Sequence, residues 1–190
     1  MKKHLITSLL MTIATTVLLG LVYPLVVWGL AQVLFHDKAN GQIITRNGEA
    51  MGSRIIAQPF TGVKYFHPRP SAAGNGYDAA NSGGTNLGPT NQKLIDRVQN
   101  DAKSLQADNP TQPIPVDLIT TSASGLDPEI SPAAAEFQIP RVARERGLDQ
   151  AAVRDLVQKH TAQRDLGLLG EPRVNVLELN LALDDLTAKR

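Results

Sequence analysis

The chain has 190 residues, of which 42% are hydrophobic and 19% are charged, and its formal net charge is +1. This balance excludes a disordered chain of low hydrophobicity and high net charge, and it argues against a nucleic-acid partner bound through excess positive charge. Because the sequence has no cysteine, disulfides, cysteine nucleophiles and cysteine-ligated zinc sites are excluded.

An apolar segment at residues 5–35 contains neither acidic nor basic side chains. A helix that crosses a membrane needs about 20 mainly apolar residues. The apolar part of a secretory signal is shorter, about 7–15 residues, and ends at a small-residue cleavage site. The length of the segment therefore predicts an uncleaved transmembrane anchor over residues 1–36, followed by a soluble domain over residues 37–190.

Flanking charges predict how this helix is oriented. Lys2 and Lys3 precede the apolar segment, while Asp37 and Lys38 follow it and cancel each other. Basic residues stay on the cytoplasmic side of a membrane. We therefore expect a cytoplasmic N-terminus and an extracytoplasmic soluble domain.

Small or hydroxyl-bearing residues recur at every fourth position along the predicted membrane helix. In lipid, such residues let helices approach closely and hydrogen-bond across the contact. The stripe is therefore a candidate contact with partner membrane helices; the alternative is that its hydroxyls bond only to their own backbone. Its proline is expected to kink the helix. The stripe consists of Ser8, Thr12, Thr16, Gly20 and Pro24.

The soluble domain begins with strand-like runs at residues 43–45 and 54–57, between which Asn47-Gly48 is a strong hairpin turn signal. From about residue 59 to residue 89 the chain is rich in Gly, Asn and Pro. This composition predicts a long irregular loop, which in a compact domain is usually functional or a linker. The loop also holds several aromatic residues, which disordered segments lack, so we expect it to be ordered.

The remainder of the domain mixes helix and strand patterns without a βαβ repeat, which favours an α+β fold. Three arginines near the end of one predicted helix, Arg141, Arg144 and Arg146, indicate a solvated helix face. The predicted elements are a helix from Thr90 through Gln106, a strand over residues 116–120, a helix from Ser131 to Arg146 interrupted or bent at Pro140, a helix from Asp149 to His160, a strand over residues 173–178, and a strand or short helix over residues 179–186.

Catalytic and metal-binding patterns are absent from the sequence. There is no Gly-Lys pair for a P-loop and no His-Glu-x-x-His, and the four histidines are scattered. The turn at residues 81–86 can hold an anion through backbone N–H groups, or it can simply reverse the chain. A pair formed by His67 with Ser71 or Asp78 is the one catalytic alternative, and a structural loop corner is the favoured interpretation. We predict no catalytic residue and no metal site.

Six strings of the sequence are unusually specific: Val22–Leu25, Tyr65–Ala72, Ser82–Leu87, Ser122–Pro128, Gln138–Ala143 and Val174–Leu183. In this order they resemble the signatures of one bacterial family, the C subunit of the Kdp potassium-transporting ATPase (KdpC). The resemblance extends from about residue 20 to residue 186. The chain lacks the Asp-Lys-Thr-Gly string of P-type ATPases, since Asp37-Lys38 is followed by Ala39, so it is not the ATP-hydrolysing subunit.

The resemblance implies a non-catalytic accessory subunit of an ATP-driven K⁺ uptake pump in the bacterial inner membrane. Its implied partners are a channel-like K⁺-translocating subunit, a P-type ATPase subunit and a small membrane peptide. The implied role is assembly and stability of the complex, together with either a raised ATP affinity of the ATPase subunit or a cover over the K⁺ entrance. K⁺ is the transported ion, and ATP is a ligand implied only by the family.

Candidate functional residues lie mainly in the long loop. The loop motif that carries the resemblance gives Tyr65, Phe66, His67, Arg69 and Ser71 as a functional loop. An ATP-binding role conflicts with the predicted topology, because ATP is cytoplasmic and the domain is expected outside. The alternatives left open are a nucleotide-binding chaperone with a cytoplasmic domain and a membrane-anchored hydrolase using His67. If ATP binds this chain, the first candidates are Ser82, Gly83, Gly84, Asn86 and Gln138.

Overall fold

A computed structural model describes residues 1–188 of the chain, which divides into two compact units at the boundary between Ala50 and Met51. The first unit begins with helix α1 (Lys2–Val17), a π-helical turn (Leu18–Val22) and helix α2 (Tyr23–Leu34). Together they form one candidate membrane span, Lys2–Leu34, with a mean hydropathy of 2.2. None of their side chains is buried within the chain, as a helix that faces lipid or other helices requires.

The membrane helix is irregular just before its proline, where the sequence predicts a distortion. Pro24 lies in the first turn of α2 and has no N–H to donate to the carbonyl of Gly20, four residues earlier. The π-helical turn ends at Val22. Widened turns of this kind are common where the regular hydrogen-bond ladder of a helix is interrupted.

A short helix α3 (His36–Ala39) leads to a hairpin of strands β1 (Ile43–Arg46) and β2 (Glu49–Ser53). Its turn is Asn47-Gly48, as predicted, and both residues have positive φ, 53° and 83°. The position predicted for the second strand, residues 54–57, is wrong. A two-residue turn with two positive φ angles pairs the residues that flank it directly, so the strand resumes at Glu49.

The second unit contains four longer helices, and local sequence explains where they begin and end. Ser131 and Asp149 accept hydrogen bonds from the backbone of the first turn of their helices, and Gly147 ends the earlier one with φ 62°. The first helix is capped by Asn91 and not by Thr90. The helices are α4 (Gln92–Asp108), α5 (Pro132–Arg146), which is continuous through Pro140, α6 (Gln150–Lys159) and α7 (Val176–Ala188).

One predicted strand is wrong and a second is correct only in its first half, because side-chain hydrogen bonds favour a turn and a helix start there. The strand predicted at residues 116–120 is a short 3₁₀ helix, Val116–Leu118, in which the Asp117 carboxylate accepts hydrogen bonds from Ser131. The strand predicted over residues 173–178 ends at Asn175. There the Asn175 side chain accepts from the Glu178 N–H, which starts α7 instead.

A three-stranded antiparallel sheet and three helices enclose the core. Strand β5 (Arg173–Asn175) lies between β3 (Glu129–Ile130) and β4 (Thr161–Ala162). Helix α5 packs on α6, and α6 packs on α7. The structure thus confirms a mixed helix-and-strand soluble part. The largest fully buried apolar side chains of the core are Phe66, Ile139, Val142, Val153, Val174, Leu179 and Leu183.

Within residues 1–188, the stretch from residue 54 to residue 91 has neither helix nor strand, which confirms the predicted irregular loop. It is ordered partly by a close approach to the turn at residues 121–127. Gly125 has φ +67°, and a Cβ at this position would lie 2.6 Å from the Ala73 nitrogen and 2.7 Å from the Gly83 oxygen. Only glycine satisfies both the dihedral and the space.

We expect Gly125→Ala to destabilise the domain by about 3 kcal/mol, the sum of left-handed backbone strain and overpacking. Gly147→Ala is the matched control, because Gly147 has φ +62° and open space around its Cβ position. The control should lose only the strain, about 1 kcal/mol. Chemical unfolding of the full chain in detergent measures both. Equal losses in the two variants would contradict the close packing of loop and turn.

Candidate functional site

The carboxamide of Asn180, on α7, binds both backbone polar groups of Phe66. The Phe66 N–H donates to Asn180 Oδ1 at 2.9 Å, and Asn180 Nδ2 donates to the Phe66 carbonyl at 2.9 Å. Asn180 is 1% exposed and Phe66 is fully buried. The two residues are 114 positions apart in sequence, so this contact fixes the loop on the C-terminal helix.

The next residue of the loop is held in the same way from α5. The His67 N–H donates to Gln138 Oε1 at 2.8 Å, and Gln138 Nε2 donates to the His67 carbonyl at 3.1 Å. Gln138 is 3% exposed. Its nitrogen also lies 3.3 Å from the Ala134 carbonyl within its own helix.

Asn180 and Gln138 together form what we call the carboxamide clamp. A carboxamide offers one acceptor and two donors on a planar group, so it can pair with a peptide unit as a neighbouring strand would. A carboxylate lacks the donor, and an apolar side chain lacks both. Buried backbone groups must find partners, and in this irregular segment side chains supply them.

Two buried arginines of α5 hold the residues just before the clamp. Arg141 donates to the carbonyls of Val63 and Tyr65 and, at 2.7 Å, to Gln138 Oε1. Arg146 donates to the Lys64 carbonyl at 2.8 Å. The five consecutive carbonyls from residue 63 to residue 67 therefore all accept hydrogen bonds from side chains.

The predicted solvated face of three arginines is wrong for two of its members. The side chains of Arg141 and Arg146 are 7% and 5% exposed, whereas that of Arg144 is 64% exposed. Arg146 pairs with Asp184 at 2.7 Å and stacks 4.8 Å from the centre of the Tyr65 ring. The sequence places all three near the helix end, but only the packing of the loop decides which are covered.

The ring of His67 lies at the edge of a cavity of about 390 Å³ lined also by Phe60, Tyr77 and Leu105. Its Nε2 is 3.1 Å from the Gly62 carbonyl, which only accepts, so this nitrogen carries hydrogen. Burial, reinforced by the positive charge of Arg141, lowers the pKa of His67. The ring is thus held neutral as a structural donor.

Arg69 and Ser71 attach the loop to the turn at residues 121–127. Arg69 pairs with Asp127 at 2.9 Å, and Ser71 Oγ donates to the Gly125 carbonyl at 2.5 Å while accepting from the Tyr77 N–H at 2.8 Å. The Tyr77 hydroxyl donates to the Arg69 carbonyl, and burial raises the pKa of Tyr77 to about 12. The hydrogen bonds of His67 and Ser71 lead to different carbonyls, so they do not form a nucleophile–base pair.

The turn considered for anion binding uses its donors within the fold. Ser82 Oγ and the Gly83 N–H both donate to the Ser124 carbonyl, at 3.0 and 2.8 Å. A Cβ on Gly84 would meet the Ala123 carbonyl at 3.0 Å, and Asn86 has φ 52°. These donors face a carbonyl oxygen, and the fifth candidate, Gln138, is occupied in the clamp. Three of the five candidates, Ser82, Gly83 and Gln138, therefore already use hydrogen-bond donors within the chain.

The small-residue stripe of the membrane helix is entirely on the exposed surface of this chain. Ser8 Oγ donates to the Leu5 carbonyl at 2.9 Å, which is the local alternative considered for its hydroxyl. Contact of Thr12, Thr16, Gly20 and Pro24 with partner helices stays a prediction. Within residues 1–188, no cluster of three or more His, Asp or Glu side chains is placed to hold a metal ion.

Comparison with known proteins places this chain in one family. The family model described as "KdpC: K+-transporting ATPase, c chain" matches residues 5–185. The chain is 72% identical over 184 residues to a "Potassium-transporting ATPase KdpC subunit" of Koribacter versatilis, with 97% of this chain and 95% of that protein covered. Relatives with the same description are 56% identical in Acidobacterium capsulatum (97% and 99% covered) and 54% identical in Rhodospirillum rubrum (97% and 97% covered).

We expect Asn180→Leu to destabilise the domain by about 3 kcal/mol, because it keeps the number and branching of the side-chain heavy atoms but leaves the Phe66 N–H and carbonyl buried without partners. Asn100→Leu, the same change at an exposed position of α4, should stay within about 0.5 kcal/mol of the parent. Chemical unfolding of the full chain measures both. A similar stability for the two variants would contradict a stabilising role of the clamp.

Proposed function

The chain belongs to the KdpC family of the K⁺-transporting ATPase, and we propose that its soluble domain covers the extracytoplasmic K⁺ entrance of that pump. It is an accessory subunit of the Kdp potassium pump and not a catalytic enzyme by itself. The proposed location is the bacterial inner membrane, with a single span, a cytoplasmic N-terminus and a periplasmic domain. The observation that carries the proposal is a rigid loop whose charged groups are all engaged locally.

The orientation rests on charge and length. The span Lys2–Leu34 is long and apolar enough to cross a membrane, and Lys2 and Lys3 are the charged side chains at its start. Such residues are retained on the cytoplasmic side. The domain that follows α2 is then extracytoplasmic.

The covering role rests on the electrostatics of the loop. Arg69 is paired with Asp127, and Lys64 lies 5.4 Å from the centre of the Tyr65 ring. Hydrogen bonds from Asn81 and from the backbone of Ala80 lower the pKa of Asp78, so its charge is also held locally. A permeating cation has to bind weakly enough to leave, and a neutral, fixed surface beside an entrance meets that need.

The proposed partners are the channel-like K⁺-translocating subunit, the P-type ATPase subunit and the small membrane peptide. The stripe from Ser8 to Pro24 is the proposed contact with their membrane helices. We propose further that any rise in ATP affinity of the ATPase subunit is transmitted through subunit contacts. This is supported by the engagement of Gln138, Ser82 and Gly83 within the fold.

A cysteine-labelling experiment tests the orientation directly, because the parent chain has no cysteine. Lys103→Cys and Lys159→Cys place single thiols at exposed positions of α4 and α6. We expect a membrane-impermeant thiol reagent to label both in intact spheroplasts, since the domain lies outside. His4→Cys is the matched control, because it keeps Lys2 and Lys3, and it should be labelled only after lysis. The reverse pattern would support the cytoplasmic nucleotide-binding alternative.

Charge substitutions in the loop test the covering role. Asn75 is exposed in the loop. At roughly 10 Å in water one unit charge changes the energy of a cation by about 0.4 kcal/mol, so Asn75→Lys should raise the K⁺ concentration for half-maximal transport about twofold. Asn75→Asp should lower it by a similar factor, and both effects should shrink at high ionic strength.

Transport by the complete pump carrying each variant provides the measurement. Asn100→Lys and Asn100→Asp, on the exposed face of α4, introduce the same charges outside the loop and should leave the K⁺ dependence unchanged. Equal K⁺ dependence for both Asn75 variants, or equal shifts from the Asn100 variants, would contradict a loop placed at the K⁺ entrance.

A further inference from the structure

Three leucines are exposed on the connection between β4 and β5. Leu166, Leu168 and Leu169 are 90%, 80% and 62% exposed, and we call them the leucine tip. Isolated apolar residues on a surface are ordinary, but a contiguous exposed group marks an interaction site. Removing these side chains from water contributes nothing to the folding of this chain, because they are not buried in it.

The leucine tip is ordered by its own backbone. The N–H of Asp165 donates to the Leu169 carbonyl at 2.8 Å, and the N–H of Leu169 donates to the Asp165 carbonyl at 2.9 Å. Gly167 and Gly170 have φ near +73° and +75°. Leu166 itself has φ 54°, which a leucine adopts only under constraint. A strained, ordered and exposed residue points to a function outside the fold of the chain itself.

Charges at the base of the tip are paired with one another. Arg164 contacts Glu171 at 2.6 Å, and Arg173 contacts Glu129 at 3.1 Å and Asp165 at 3.6 Å. These five side chains carry a net charge of −1. Segments that insert into anionic membranes flank their apolar residues with excess Lys and Arg. The base of the tip has no such excess, and its self-paired charges favour a neutral apolar protein surface.

We propose that the leucine tip inserts into an apolar crevice on the extracytoplasmic surface of a partner subunit of the pump. This inference rests on the proposed function, because it needs the soluble domain outside and beside those subunits. A rigid apolar group that enters a pocket in a ring of polar contacts is the usual form of an energetically dominant interface site. Its order before binding also reduces the entropy lost on association.

A single fluorophore at the tip tests the inference in the complete assembly. Leu168→Cys can be labelled alone because the chain has no other thiol. We expect the emission of an environment-sensitive dye to shift to shorter wavelength, and its quenching by aqueous iodide to fall at least fivefold, when the chain is assembled with the other pump subunits. The chain alone in nanodiscs of neutral and anionic lipid should show neither change. The same dye at Lys103→Cys is the control for an exposed position.

The outcomes separate the inference from its alternatives. Iodide quenching that is equal in the two states would overturn it. Protection of the chain alone, with quenching by nitroxide lipids, would assign the tip to the bilayer, and protection that rises with chain concentration in the absence of partners would assign it to a second copy. Failure of the unlabelled parent to copurify with the pump subunits would instead refute the proposed function.

A substitution series provides an independent measurement. The triple variant Leu166→Ser, Leu168→Ser, Leu169→Ser should copurify with the other pump subunits at least fivefold less than the parent, while its melting temperature is unchanged. The matched control replaces Ile43, Ile55 and Val116 by serine; these residues are 50%, 51% and 68% exposed and lie outside both the leucine tip and the loop of residues 59–89. Equal copurification of the two triple variants would overturn the inference.

Discussion

The soluble domain depends on one constraint: an irregular backbone segment, residues 63–67, enters the interior at Phe66 without a neighbouring strand. Buried N–H and carbonyl groups must be satisfied wherever they lie, and residues 63–67 have no sheet to satisfy them. Side chains of two helices take the place of a strand, with Gln138 and Arg141 from α5 and Asn180 from α7. The fold therefore requires polar residues in the interior at fixed positions, and each is close to a full complement of partners.

This constraint gives helix α5 two roles. One side contributes apolar residues such as Ile139 and Val142 to the core, and another contributes the polar groups that hold the loop. Because the chain has no cysteine, no covalent bond ties residues 59–89 to the domain. Long-range hydrogen bonds serve instead, and they join positions 71 to 114 residues apart. The order of the loop is thus a property of the whole domain and not of the loop sequence.

Local chemistry explains which features could be predicted from the sequence. The uncharged span, the Asn47-Gly48 turn and the Ser131 cap depend on neighbouring residues, and the structure bears them out. Residues 116–120 and 176–178 have strand-like composition, but the hydrogen bonds from Ser131 to Asp117 and the helix cap by Asn175 override it. The burial of Arg141 and Arg146 needed knowledge of where the loop packs. Asn180 lies between Leu179 and Leu181 in an apolar run of α7, and a polar residue at that place is the local signal that could have indicated the clamp.

The loop and the leucine tip differ in which of their groups have partners within the chain. In the loop, charged and backbone groups already have partners within the chain, so they bind a neighbouring ion only weakly. In the leucine tip, the polar groups are likewise engaged, yet the apolar side chains remain in water. Burial of apolar surface drives association. Polar groups that are already hydrogen-bonded within the chain contribute little to it. Under the proposed function, this difference lets the domain attach to a partner subunit at the tip while the loop beside the ion path makes few strong contacts.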